Sequence, residues 1–297
     1  MSALPAVLEC QPVITPESPR ILTTTIPKVS ILTRLARLVR MSSHIARGFF
    51  ILAVRYPHLA NAERAVITRA WARKMLSIFG VEVRISGDNP GFYPPNTLLV
   101  ANHVSWLDII ALSSGTVSRF VAKKEISDWP IVGTMAKNGG TLFIDRSNRR
   151  DASRINGQLA DALSQGGCMS VFPEGTTSDG FGLLPFKASL FESALLAKSR
   201  VQPVAIRYLD AHGQQTDTLS YVGDHSFGLI LKRLLTMKKL VVELHYGQSL
   251  QAGEGELASR FAISNAARRE ILAGLNLSDD TQDTARQTLA CPQAVTQ

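Results

Sequence analysis

From residue 81 to residue 246 short β-rich runs alternate with stretches of helical periodicity, and this alternation constrains the fold more than any other feature of the chain. Segments 81–85, 97–101, 118–122, 141–144, 169–172, 201–208 and 240–246 read as strands, and intervening segments such as 152–165 as helices. Such alternation builds an α/β domain, a central mixed sheet flanked by helices, over about 81–250. A helix over 61–79, stopped by Gly80, leads into it, and a helical segment over 251–276 follows. Residues 1–28, rich in Pro, Thr and Ser, and the polar stretch 277–297 lack apolar periodicity and are expected to be disordered tails.

Residues 29–80 read as amphipathic, membrane-associating helices. With Ile31 at zero and about 100° per residue, Ile31, Leu32, Leu35, Leu38 and Val39 fall within about 120° of arc, with Arg37 and Arg40 opposite and Arg34 on the flank. An aliphatic stripe backed by arginines suits the interface of an anionic membrane, with the arginines near the headgroups. An ordinary surface helix packed on its own core fits the same pattern. The most apolar run, 48–54, is closely flanked by Arg47 and Arg55, so no spanning helix is expected. The first twenty residues carry Glu9, Glu17 and four prolines and do not read as a secretory signal. The expected setting is the cytoplasmic face of the inner membrane, with the chain peripheral or monotopic.

Charge narrows the partners without choosing among them. A formal net charge of +8 favours anionic groups such as lipid headgroups, coenzyme phosphates or acidic carrier proteins. No nucleic-acid motif or aromatic-interleaved basic stripe is present, so no nucleic acid is expected. Three cysteines, Cys10, Cys168 and Cys291, support neither a disulfide framework nor a thiolate metal site.

Four constellations carry candidate chemistry. The first is Asn102-His103, at the exit of a strand, with Asp108 five residues on. A histidine can take a proton from an alcohol while a carboxylate on its other ring nitrogen fixes the tautomer. The pairing requires a helix that begins after His103, and Ser105 offers an N-cap for it. Ser105 to Asp108 equally fits a loose capping box, in which Asp108 is only a helix-start residue. The second is Gly140 to Arg146, containing Phe143, a β-rich run ending in an arginine whose fork can grip phosphate. With Arg149, Arg150 and Arg154 it also reads as a solvated basic face. In the third, Phe172-Pro173-Glu174-Gly175-Thr176, glycine allows close backbone approach to a polar headgroup and Glu174 can accept from a substrate hydroxyl. The fourth is an apolar strand with Pro203 near its start, where the missing amide costs least if the strand is an edge, and core packing explains the string equally well.

In this order and spacing the four elements resemble the signature of the glycerolipid acyltransferase family, with the resemblance running from about residue 96 to 207. Asn102, His103 and Asp108 fall on its Asn-His-four-residues-Asp element, Phe143 and Arg146 on Gly-x-x-Phe-x-x-Arg, residues 172–175 on Phe-Pro-Glu-Gly, and Pro203 on the closing strand. The resemblance implies a lysolipid O-acyltransferase that uses acyl-CoA or acyl carrier protein as co-substrate and needs no cofactor, covalent acyl-enzyme or metal. His103 would be the general base and Asp108 its orienting partner. Arg146, Glu174, Gly175 and Thr176, with Phe143, Asn102 and Pro203, would form the substrate-binding set. Members acting on 1-acyl-glycerol-3-phosphate commonly continue Glu-Gly-Thr-Arg-Ser, whereas Thr177 stands here in place of the arginine. The run from Thr177 to Gly180, followed by Leu184-Pro-Phe-Lys187, resembles the branch that acylates lyso-ornithine lipid. A thioesterase or lipid hydrolase using Ser105 is a more distant alternative, disfavoured because no Gly-x-Ser-x-Gly elbow occurs. Cys168 starts an apolar run and is expected to be buried rather than nucleophilic.

Overall fold

The computed structural model describes residues 28–145, 149–222 and 226–278. Apart from Lys28, Leu277 and Ser278, the segments expected to be tails lie outside the described residues, as does Arg146. Helices α1 (Ile31–Val54) and α2 (Asn61–Phe79) precede strands β1 (Val81–Gly87) and β2 (Thr97–Ala101). Then come α3 (Leu107–Gly115), β3 (Arg119–Lys123), α4 (Val132–Asn138), β4 (Leu142–Ile144), α5 (Arg149–Ser164) and β5 (Cys168–Val171). The chain continues through α6 (Glu192–Leu196), β6 (Arg200–Leu209), α7 (Phe227–Thr236), β7 (Leu240–Tyr246), β8 (Leu250–Gln251) and α8 (Arg260–Leu275).

The strands form one sheet in the order β1-β7-β6-β2-β5-β3-β4, with β8 beside β6. It is mixed, as expected: β6 runs antiparallel to β7 and β8, and every other pair is parallel. Strands β6, β2, β5, β3 and β4 therefore end at the same edge, where α/β folds place their reactive loops.

Period-two alternation sends successive residues of β2 into two separate cores. Leu99 and Ala101 face α2, α3 and α7 through Leu76, Phe79, Leu112 and Leu234. Leu98 and Val100 face α5, α6 and α8 through Leu159, Leu163, Ala194 and Ile271. Two segments set apart in the sequence reading thus belong to the α/β body. Ala72, Met75, Leu76 and Phe79 bury α2 in the core, and Ile263, Ala267 and Ile271 do the same for α8. Helix α2 ends where the sequence reading stops it, at Gly80, whose φ of 75° is left-handed and whose amide bonds back to Leu76 and Ser77.

Helix α1 departs from expectation in its orientation. Arg37, read as a membrane-facing cation, is buried, and its guanidinium donates to the carbonyls of Leu234, Leu235 and Met237 at the end of α7 (3.4, 3.2 and 2.6 Å). Those orphan carbonyls and the helix dipole favour a cation there. The arginine face consequently turns partly inward and the aliphatic stripe outward: Ile31, Leu32, Leu35 and Val39 are 56–75% exposed and Leu38 is 43% exposed. Further along, Gly48 lets α1 approach α2, because a Cβ there would lie 2.7 Å from Trp71 Nε1. Trp71 also stacks on His44 and donates to its carbonyl.

Of the two positions left open for the Pro203 strand, the structure takes the core one: β6 lies inside the sheet between β2 and β7, and Pro203 is buried. Its missing amide falls at a local gap: pairing with β8 covers Arg200 and Val201, and pairing with β7 begins only at Val204. The Pro203 carbonyl accepts from Gly247 N across that gap (3.0 Å). The Gln202 side-chain amide donates 2.7 Å to the Gly247 carbonyl, the acceptor that a residue-203 amide facing the gap would have used.

Candidate active site

The chain leaves β2 at Ala101 and re-enters regular structure only at Leu107, which frees residues 102–106 to wrap around one carboxylate. Asp108, in the first turn of α3, is wholly buried. Its Oδ2 lies 2.8 Å from His103 Nδ1 and also accepts from Val104 N (2.8 Å) and Ser105 N (2.9 Å). Its Oδ1 accepts from Tyr208 Oη at 2.5 Å. Helix start and dyad therefore use one residue: the carboxylate reaches back to Ser105 N as a capping box requires, but the Ser105 hydroxyl has no partner among the described residues. Trp106 takes the N-cap position instead.

The bond to Asp108 places a proton on His103 Nδ1 and leaves the Nε2 lone pair to accept another. The imidazole side chain is 20% exposed and stacks on Phe172, with ring centroids 4.0 Å apart and planes at 11°. Its backbone is held on both sides. Glu174 Oε1 accepts from His103 N (2.7 Å), and the His103 carbonyl accepts from Ser178 N (2.8 Å). Glu174 Oε2 accepts from Leu184 N (2.9 Å), so both oxygens of this buried carboxylate bind backbone amides. Burial pushes the Glu174 carboxyl up to about 7, against the pull of those two amides.

The other expected residues are placed unevenly. Asn102, expected to bind substrate, is fully buried, and its amide instead clamps β6 by accepting from Ile206 N (2.7 Å) and donating to Ile206 O (3.0 Å). This extends the β2–β6 ladder past its last pair, Ala101 with Val204. Pro203 likewise lies within the sheet rather than at its reactive edge. Phe143 is half-buried on β4, and its carbonyl accepts from Arg154. Arg154 is itself tied to Asp151 at 2.6 Å, an exposed pairing that holds Asp151 below the usual carboxylate range and makes this arginine part of a solvated face.

Gly175 adopts a φ of 73° beside the exposed Thr176, and a Cβ at Gly175 would lie 2.5 Å from Lys187 Nζ, so the Lys187 ammonium covers this turn. The Thr177 hydroxyl donates to the Tyr221 carbonyl. Next to the dyad, Trp106 packs on Phe227 (5.0 Å), which meets Trp129 edge-on (5.9 Å), an aromatic wall. Sequence reasoning missed Tyr208 and Ser178 as neighbours of the dyad, because only the register of β6 and the turn after Gly175 bring them there.

Two alternative nucleophiles are unsuited by placement. The Ser105 hydroxyl is buried and unbonded to His103, which therefore does not activate it. Cys168 is buried as expected, and desolvation raises its thiol far above the ordinary range, so it carries no thiolate at neutral pH. The arrangement instead offers a buttressed imidazole, 20% exposed, whose Nε2 has no partner among the described residues, a geometry able to accept a proton from a hydroxyl.

Comparison with known proteins agrees. Residues 84–207 match the family model described as "Acyltransferase". The chain is 38% identical over 247 residues to the 1-acyl-sn-glycerol-3-phosphate acyltransferase of Neisseria gonorrhoeae, covering 83% of this chain and 94% of the relative. It is 40% identical over 172 residues to the lyso-ornithine lipid O-acyltransferase of Pseudomonas aeruginosa, covering 58% of this chain and 65% of the relative. The crystal structure of the 1-acyl-sn-glycerophosphate acyltransferase PlsC from Thermotoga maritima superposes with a TM-score of 0.62 at 19% identity, over 82% of this chain and 95% of that one, a likeness of fold.

Proposed function

Since the chain belongs to the 1-acyl-sn-glycerol-3-phosphate acyltransferase family, we propose that it transfers a fatty acyl group from acyl-CoA or acyl carrier protein to the free hydroxyl of 1-acyl-glycerol-3-phosphate, making phosphatidic acid. It is an acyltransferase of lipid biosynthesis; the donor and acceptor are the proposal. The observation that carries it is His103, fixed at Nδ1 by Asp108 and, among the described residues, unbonded at Nε2. Nε2 takes the proton of the acceptor hydroxyl as its oxygen bonds to the thioester carbonyl carbon. The C–S bond then breaks, and the departing sulfur recovers that proton from the imidazolium. Phe172 beneath the ring and the amides held by Glu174 keep it in place. The wall of Trp106, Phe227 and Trp129 supplies an apolar surface for an acyl chain.

Acceptor choice turns on residue 177. Its hydroxyl is engaged with the Tyr221 carbonyl and supplies no cation, so Lys187, over Gly175, is the group we assign to the acceptor's anionic headgroup, with Arg146 a further cation. One ammonium serves a phosphate or the carboxylate of lyso-ornithine lipid, and the similarity to the Pseudomonas aeruginosa enzyme favours the latter as a second reading. The exposed stripe of α1 supports residence on the cytoplasmic face of the inner membrane. Among the described residues no helix is long and apolar enough to cross a membrane.

The test offers purified protein labelled acyl-CoA or acyl carrier protein with each lysolipid. Labelled phosphatidic acid is the expected product. Acylation of lyso-ornithine lipid alone replaces the first reading by the second, and free fatty acid released without an acceptor overturns both.

A further inference from the structure

Three donors crowd onto one oxygen of Asp108, namely His103 Nδ1, Val104 N and Ser105 N, and a single donor holds the other. That donor is Tyr208, 100 residues further along the chain, and its ring is buried on β6 at 2% exposure. Its phenol keeps its proton, because burial and the neighbouring Asp108 charge raise it well above its ordinary value. It is thus a permanent donor to Asp108 Oδ1.

We propose that Tyr208 is a positioning residue for acyl transfer, the outer member of a Tyr208–Asp108–His103 chain that locks the carboxylate's rotation and shares its charge, so that Asp108 orients His103 without taking its proton. The inference rests on the reading of His103 as the base. Rotation of the carboxylate about Cβ–Cγ would leave Oδ1 buried without a donor and move Oδ2 off the imidazole. Three donors hold Oδ2 against that rotation, and among the described residues the hydroxyl on β6 is the one that holds Oδ1. Tyr208 also draws electron density from Asp108 and so tempers how strongly the carboxylate stabilises the imidazolium. No proton moves along Tyr208; the one transferred proton travels between the acceptor hydroxyl, His103 Nε2 and the leaving sulfur. The described titratable groups acting on Asp108 are His103, Tyr208 and Glu174.

Tyr208→Phe keeps the ring and removes the donor. The expected result is a kcat lower by roughly tenfold to a hundredfold, the range of a charge-assisted hydrogen bond, with KM for both substrates nearly unchanged. The acid limb of the kcat/KM–pH profile should move to higher pH, because the undivided carboxylate charge makes His103 more basic. Loss of packing alone does not move that limb. Site-specific 3-fluorotyrosine at 208, a stronger donor of nearly the same size, should move the limb the opposite way, and this arm keeps the test intact if the phenylalanine variant unfolds. An unmoved limb in a folded variant overturns the proposal. His103→Ala assayed alongside separates the two inferences: transfer retained there removes the base itself, whereas transfer lost there with Tyr208→Phe unaltered removes only the role of Tyr208.

Discussion

Asp108 accepts from four donors while lying out of contact with solvent, and that combination sets the chemistry of its neighbours. With both oxygens so engaged, the carboxylate fixes the orientation of His103, whose Nε2 is the nitrogen left to take a proton. His103→Ala should therefore lower transfer by roughly a hundredfold to ten-thousandfold, the usual span for a general base, while the thermal unfolding transition stays in place. Glu174 makes a separate prediction through pH. Its carboxyl is raised from 4.5 to about 7 in the folded chain. Between those values the unfolded chain releases a proton that the folded chain keeps, so this group's stabilisation, present below pH 4.5, fades as pH rises to 7. The effect reaches roughly 3 kcal/mol at most. Urea midpoints taken across that window should fall with pH for the wild type and stay flatter for Glu174→Gln; equal slopes would contradict the assignment. How much of this was legible depended on sequence distance. His103 and Asp108 are five residues apart, so the pair could be named from the sequence; Glu174 was marked by its turn but expected to accept from a substrate hydroxyl, whereas both its oxygens take backbone amides. Tyr208 reads as one more aromatic in a buried strand until β6 is laid beside β2. Asn102 was named for the wrong reason, because a buried amide that clamps a neighbouring strand looks, in one dimension, like any residue beside a catalytic histidine.

Among the elements, α1 shows what periodicity can and cannot establish. The spacing of Ile31, Leu32, Leu35, Leu38 and Val39 fixed a helix and an apolar stripe, and both are present. Which way the helix turns was decided elsewhere, by three carbonyls at the end of α7 about 200 residues away that needed a donor. Arg37→Ala leaves those carbonyls without their guanidinium and should destabilise the fold by about 1–3 kcal/mol, read as a lower urea midpoint. Leu32→Asp with Leu35→Asp acts on the outward stripe instead. Both side chains are more than half exposed, so the unfolding midpoint should barely move while cosedimentation with anionic vesicles drops sharply. Unchanged sedimentation would argue that the stripe does not bind membranes.

At the scale of the molecule, the sheet brings the exits of β2, β5 and β6 to one edge, and the antiparallel β7 closes the other side of β6 without obstructing it. That layout followed from the alternation of strand and helix, whereas the interior position of Pro203 did not. A proline's tolerance depends on whether its own amide has a partner, and here a glutamine side chain serves the abandoned carbonyl. On the proposed membrane residence, the outward stripe of α1 has one more consequence. An enzyme held against a bilayer meets its lysolipid by lateral diffusion, so the relevant concentration is molecules per unit of surface. At constant bulk lysolipid, mixing inert detergent into the micelles should slow acylation in proportion to the acceptor's mole fraction, a surface-dilution behaviour that an enzyme drawing its acceptor from free solution would not show.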